Sequence, residues 1–319
     1  MLFTIVIPTF NRAATICDTI ESVVRQLHAD CEIIVVDDGS TDGTPERVLD
    51  RFGDQVRVIL QDNAGPGTAR NHGAAEASGR YLAFLDSDDL WFPWTLATYR
   101  ETLKECRYPG LVTSTPFAFY DARQDLPSDP LPRASARYTD YFASSRTHRN
   151  FGSCVLLVRR DIFELSRGFT PARMNGEDLD FVLRIGDASD FVEIASPPLV
   201  GWRQHAGNLT GDVAKTAAGL LPIISNERQG KYPGGPPRRR ARREIIARHS
   251  RSAALAAAAK GNPASAWSLY AKTLAWQVRL GRWRFCIGFP LAALKSLAQS
   301  GRPVVDQPMT KPTACEVGR

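Results

Sequence analysis

Within its first hundred residues the chain alternates continuous apolar runs with segments of helical spacing. The runs at 2–7, 32–36, 56–60 and 81–85 are short and dominated by Ile, Val, Leu and Phe. Between the first two, Ile16, Ile20, Val23, Val24 and Leu27 fall on one face of a helix over 13–26. A second helix fits Thr44–Phe52, and a third opens at Pro66, continues through Ala77 and closes at Gly79. Strands that are apolar throughout must be covered on both faces, which predicts an α/β fold with a mostly parallel sheet between helical layers. In such sheets ligands bind beyond the C-terminal ends of the strands. Acidic clusters stand at those ends: Asp37-Asp38 after the second run and Asp86-Ser87-Asp88-Asp89 after the fourth.

Carboxylates crowded at neighbouring strand ends repel one another unless a cation lies between them. A hard divalent ion with oxygen ligands, Mg²⁺ or Mn²⁺, is the natural partner, above all when a substrate diphosphate completes its shell. The competing reading is structural, since Asp and Ser are also favoured turn and N-cap residues.

Five segments in order, IVIPTFNR, VVDDGSTDGT, GPGTARNHG, YLAFLDSDD and NGEDLDF, resemble the motifs of family-2 glycosyltransferases with the Rossmann-like GT-A fold. The resemblance covers roughly residues 1–210. It implies a nucleoside-diphosphate sugar as donor, with a UDP-sugar the first expectation, and a glycan or glycolipid hydroxyl as acceptor. Pro8, Thr9 and Arg12 would flank the base and ribose, with Phe10 open to stacking on the base. Asp38, with Asp37 beside it, would hydrogen-bond the base or ribose. Arg70 and Asn71 would floor the nucleotide site, and Asp86 and Ser87 would also bind the nucleotide-sugar. Asp86 and Asp88 would form the metal-binding DxD element for Mn²⁺ or Mg²⁺, Asp88 as the direct ligand. Asp178 would be the general base of an inverting transfer. The bland alternative is that Glu177, Asp178 and Asp180 only complement a helix dipole. Glu177 and Trp202 would bind the acceptor, and His205, in Trp-Arg-Gln-His, would reach the metal or diphosphate. The Gln-x-x-Arg-Trp pattern of processive members is absent, so a single-sugar transfer in surface polysaccharide or glycolipid assembly is expected.

Other classes fit worse. No GxGxxG follows a strand, as a dinucleotide oxidoreductase would require. The first strand ends in Pro8-Thr9-Phe10-Asn11-Arg12, without the Gly-rich phosphate loop of a nucleotidyltransferase. A non-catalytic nucleotide-sugar binder would be expected to lack a metal or base carboxylate, and Asp88 and Asp178 are both present. Six scattered cysteines form no CxxC pair, which fits a reducing compartment. No basic leader precedes the first strand, and no run reaches the roughly 20 apolar residues of a bilayer span. A cytoplasmic protein, working at the inner face of the membrane, is the expectation.

The charge is unevenly spread. Residues 220–319 hold 18 Lys and Arg against 4 Asp and Glu, a balance of +14 within a chain of net charge +6. The expected organisation is a catalytic domain over 1–225, a basic Gly/Pro linker over 226–240, a helical extension over 241–300 and a disordered tail over 301–319. Five of the six residues in 238–243 are Arg. They could be a solvated helix face or, with Trp267, Trp276, Trp283 and Phe285, a peripheral membrane contact. The same aromatics could instead pack as a helical subdomain on the catalytic domain. No aromatic-interleaved nucleic-acid motif accompanies the run, so nucleic acid is not an expected partner.

Overall fold

The computed structural model describes residues 1–120, 126–147, 152–171, 175–205, 207–208 and 211–299. The expected tail at 301–319 lies outside the described residues. The first half runs β1 (Phe3–Thr9), α1 (Ile16–Val24), β2 (Cys31–Asp37), α2 (Thr44–Phe52), β3 (Arg57–Leu60), α3 (Pro66–Ala75) and β4 (Tyr81–Phe84). It continues with β5 (Leu90–Trp91), α4 (Thr95–Glu105), β6 (Leu111–Ser114), β7 (Pro116–Phe119), β8 (Ala134–Tyr138), β9 (Leu156–Arg159) and α5 (Arg160–Leu165). Then come α6 (Glu177–Arg184), β10 (Phe191–Ser196), β11 (Val200–Arg203), α7 (Val213–Arg228), α8 (Gly235–Ala259), α9 (Pro263–Arg279) and α10 (Trp283–Gln299).

Eight strands form the main sheet in the order β3-β2-β1-β4-β9-β6-β10-β8, with β5-β11-β7 as a small second sheet. β1 to β4 are parallel, while β9 lies antiparallel to both β4 and β6. Strand order proceeds outward from β1 to β2 and β3 on one side and jumps to β4 on the other. That reversal opens a crevice at the C-terminal ends of β1, β2 and β4, which is where the acidic clusters stand.

The sheet separates two cores with a two-residue period along each strand. Val6, Ile34, Val36, Leu82 and Phe84 face one, and Ile5, Ile7, Ile33, Val35, Tyr81 and Ala83 face the other. Gly73 of α3 shows how tightly the first is packed, since a Cβ there would lie 2.5 Å from Val6 Cγ1. Ala134–Tyr138 pairs antiparallel with β10 as an edge strand. Its residues are largely exposed and small, so they carry no apolar run to announce a strand.

The connection between α7 and α8 is narrower than the 226–240 expected, because α7 runs to Arg228 and α8 begins at Gly235. Pro236 and Pro237 fit the first turn of α8, where a missing N–H is harmless. The arginine run therefore lies within a helix. Arg238 pairs with Asp140, and Arg242 pairs at 2.6 Å with Glu227, the two side chains being 2% and 0% exposed. Arg242 also donates to Pro233 O and Gly235 O, and Arg243 reaches Glu227 at 3.2 Å while its guanidinium sits 5.1 Å from the Trp276 ring centre. Ile245, Ile246, Ala254, Leu269 and Phe289 join the same core as Phe84 and Phe181. The helical extension is thus packed onto the α/β layer. Among the described residues no helix is long and apolar enough to cross a membrane. Removing Glu227 would strand a buried guanidinium, so Glu227→Ala is expected to lower unfolding free energy by about 3 kcal/mol, measured by denaturant titration.

Candidate active site

The loop after β1 is fastened to the loop after β2. Asp38 N–H donates to Thr9 O at 2.8 Å, Asn11 N–H to Ser40 Oγ at 2.8 Å and Arg12 N–H to Thr44 Oγ1 at 3.0 Å. Asn11 adopts φ of 52°, and its side-chain oxygen accepts from Thr41 N–H at 2.8 Å. Pro8 and Thr9 lie beside Val36 and Asp37 in the β1–β2 register, and Phe10 next to them is 44% exposed.

The two aspartates ending β2 have different occupations. Asp38 spends Oδ1 on Gln61 Nε2 (2.7 Å) and Ala64 N–H (2.8 Å), and Oδ2 on Gly65 N–H (2.8 Å), so it shapes the entry to α3. Asp37 accepts from Ser40 N–H at 2.8 Å through Oδ1, while its Oδ2 has no hydrogen-bond partner.

α3 carries Arg70 inward. Its guanidinium, 5% exposed, donates to Asp86 Oδ1 at 2.7 Å and Glu177 Oε1 at 3.0 Å, and lies 5.4 Å from the Phe169 ring centre. Its charged form is held firmly by the two carboxylates despite burial. Asn71 clamps Phe169 by accepting from its N–H and donating to its carbonyl, both at 2.8 Å. Gly67 permits this approach, since a Cβ there would meet Thr170 O at 3.1 Å. The GPGTARNHG segment thereby links the end of β4 to the start of α6.

At the end of β4, Ser87 O accepts from Thr15 Oγ1 at 3.0 Å. Asp88 Oδ2 meets His205 Nε2 at 3.0 Å and Arg12 Nε at 3.3 Å. The Gly207 N–H donates to His205 Nδ1 at 3.1 Å, so a neutral imidazole carries its proton on Nε2 and donates it to Asp88. Asp89 is different in kind. It is 1% exposed and accepts from Arg203 N–H at 3.0 Å, and Arg203 Nε donates to Asp88 O at 2.8 Å. Burial, then the charges of Asp86 and Asp88, push its carboxyl well above the usual range, and burial next to Asp89 likewise raises the Cys154 thiol. Arg203 and Cys154 received no role from the sequence. Arg203 lay in the quoted Trp-Arg-Gln-His segment, and nothing in the sequence marked Cys154.

α6 begins after Gly176, which has φ of 103°. Asp178 is partly buried, and its carboxyl is pushed up to about 7, chiefly by burial and next by Glu177, with the Leu179 N–H and Arg70 acting the other way. Asp180 is committed elsewhere, accepting from Thr170 Oγ1 (2.6 Å), Tyr232 OH (2.7 Å) and Arg184 Nε (2.8 Å). Glu177 is tied to Arg70, which leaves Asp178 as the carboxyl of this turn with a pKa suited to proton transfer near neutrality. Trp202 sits on β11, opposite in the strand pleat to the buried Arg203.

Of the metal ligands expected from the sequence, Asp88 meets His205, whereas Asp86 is engaged by Arg70. In this structure Arg70 and Arg12 are the positive groups standing where the repulsion demands them, and His205 adds a hydrogen bond to Asp88. Hard oxygen ligands beside an imidazole suit Mg²⁺ or Mn²⁺. His205 could ligate through Nε2 only after giving up the proton it shares with Asp88. Among the described residues it is Asp86, Asp89 and Cys154 whose ligand atoms lie within 4.8 Å of one another. The high proton affinity of the last two favours their protonated forms.

Residues 4–165 match the family model described as glycosyl transferase family 2, just over half of the chain. The chain belongs to glycosyl transferase family 2. It is 37% identical over 211 residues to an uncharacterized glycosyltransferase of Rickettsia prowazekii (strain Madrid E), covering 66% of each chain. Over 91 residues it is 41% identical to the Escherichia coli UDP-Glc:alpha-D-GlcNAc-diphosphoundecaprenol beta-1,3-glucosyltransferase WfgD, 28% of this chain and 36% of that one. Over 93 residues it is 42% identical to the putative teichuronic acid biosynthesis glycosyltransferase TuaG of Bacillus subtilis (strain 168), 28% of this chain and 37% of that one. The match thus spans little more than a third of the length of these last two relatives. Among solved structures, S. aureus TarS 1–349 superposes with a TM-score of 0.63 at 17% identity, covering 94% of this chain and 92% of that one. The mannosyltransferase PcManGT of Pyrobaculum calidifontis, in complex with GDP-Man and Mn²⁺, gives a TM-score of 0.53 at 22% identity, covering 93% and 87%. These likenesses establish the GT-A fold. The family match ends within α5, so the family-2 assignment by itself says nothing of Asp178, Trp202 or His205.

Proposed function

We propose that the protein is an inverting, metal-dependent glycosyltransferase that moves one sugar from a nucleoside-diphosphate sugar to a hydroxyl of a glycan or glycolipid acceptor. The acceptor is met at the cytoplasmic face of a membrane. The observation that carries this reading is the Arg70 bridge, which joins Asp86 of the acidic cluster to Glu177, the neighbour of Asp178. Donor-side carboxylates and a carboxyl titrating near neutrality are thereby parts of one constellation.

Thr9, Asp37 and Asp38 line the nucleotide end of the crevice, with Pro8, Phe10 and Arg12 at its rim and Asn71 buttressing its floor. Asp88 and Asp86, with His205, would hold a divalent ion, whose charge stabilises the departing diphosphate. Asp178, ionised above pH 7, takes the proton from the acceptor hydroxyl as that oxygen attacks the anomeric carbon opposite the leaving group. Glu177 and Trp202 orient the acceptor beside it. The relatives' names lend support: WfgD is named for a UDP-glucose donor and a diphosphoundecaprenol-linked acceptor, and PcManGT was solved with GDP-Man and Mn²⁺.

The test is release of nucleoside diphosphate from UDP-, GDP- and dTDP-sugars with Mn²⁺ or Mg²⁺, beside calorimetric donor binding. One donor should bind and turn over, with activity falling to background in EDTA. Folded protein that binds none of the donors in the presence of metal would overturn the proposal in favour of a degenerate site.

A further inference from the structure

α10 has two apolar faces. Phe285, Phe289 and Ala293 point inward, where the Phe289 ring stacks on Tyr270 at 4.5 Å and meets Trp267 edge-on at 5.3 Å. On the opposite side Trp283, Ile287, Leu291 and Leu294 are 57%, 67%, 62% and 57% exposed. Their spacing of four, four and three residues lines them up in one stripe, within an arc of about 80° at 100° per residue. The helix is not a loose end. Pro290 deprives the Cys286 carbonyl of its helical donor, and the Tyr270 hydroxyl supplies the missing bond at 2.7 Å. A helix already docked by one face has no packing need for a second apolar stripe, and an exposed stripe of this kind marks a contact surface.

The charge around it selects the partner. From 245 to 305 the sequence has no Asp or Glu and nine Lys and Arg. Arg279 and Arg284, both exposed, flank the start of the stripe, and Trp283, an amphipathic ring suited to a headgroup boundary, lies between them in sequence. We propose that the outer face of α10 lies on an anionic phospholipid bilayer, its stripe entering the acyl boundary and its arginines meeting lipid phosphates. The 238–243 run contributes less than its charge suggests, because Arg238, Arg242 and Arg243 are spent on Asp140 and Glu227. Trp267, Trp276 and Phe285 are not part of that surface, because they pack in the core. This inference draws its purpose from the glycolipid-acceptor reading, but binding is measurable without substrate.

The test is co-sedimentation of the full chain with vesicles of phosphatidylglycerol and phosphatidylethanolamine, against vesicles of phosphatidylcholine alone. The chain should bind the anionic vesicles in a salt-sensitive way. An Ile287→Gln, Leu291→Gln double variant should bind at least ten-fold more weakly, with unchanged melting and donor calorimetry. Quenching of tryptophan fluorescence by brominated lipid should fall in Trp283→Phe. Absence of binding to anionic vesicles, or equal binding by the double variant, would overturn the proposal. So would a dimer seen by light scattering that the double variant dissolves, which would assign the stripe to a second copy of the chain. Donor binding without vesicle binding fails this inference alone, and vesicle binding without donor binding fails the functional proposal alone.

Discussion

Asp178→Asn should reduce turnover by about 10²–10⁴-fold while leaving donor affinity unchanged, because the base contributes only where the acceptor proton moves. In the parent enzyme activity should rise with pH through about 7, as the Asp178 carboxyl loses its proton. A glutamate at the same position should restore part of the rate, and the asparagine should abolish the limb altogether. Stability should move the opposite way to activity. A carboxyl whose folded-state pKa is raised above its unfolded value stabilises the fold fully below about pH 4 and ceases to as pH rises through 7. The asparagine variant is neutral at every pH. At pH 8 it should melt at or above the parent's temperature, a difference calorimetry would register. A variant that loses activity and stability together would point to a structural role for the residue.

Asp88→Ala should have the other large effect, a loss of about 10³-fold or more in turnover together with weakened, metal-insensitive donor binding. Asp88 faces His205 and Arg12, so its removal leaves the Arg12 guanidinium without this counter-charge and His205 without its acceptor, and the fold should tolerate that at a partly exposed rim. The contrast with Asp178 is diagnostic. One variant should bind the donor normally and fail to turn it over, whereas the other should fail at binding. Retention of full metal-stimulated activity in Asp88→Ala would remove the DxD reading.

The β-strands and helices up to residue 85 were legible because they are apolar runs and 3.6-residue stripes bounded by Gly, Pro and Asp, signals that act within a dozen residues. The edge strand Ala134–Tyr138 was not, since its hydrogen bonds come from β10, more than fifty residues away. The acidic residues were visible, but the division of labour among them was not. Asp37 and Asp38 are adjacent in sequence, yet only Asp38 organises the 61–65 loop with both oxygens. Asp178 and Asp180 share a helical turn, yet Asp180 is consumed by Thr170, Tyr232 and Arg184. Proton affinity and partner choice are set by the third dimension. The same holds for the arginine run, whose charges looked available and are largely paired.

The hydroxyl of Tyr232 reaches Asp180 across 52 residues, from the connection that leads into α8. Asp180 lies two positions from the carboxyl proposed to take the acceptor's proton, so the helix that aims that group is braced by the extension. A shortened enzyme ending before this tyrosine would lose the brace together with the α8–α10 side chains that share the core of Phe181. Exchanging the extension for another is then not a neutral graft, because the replacement would have to return a hydroxyl to Asp180.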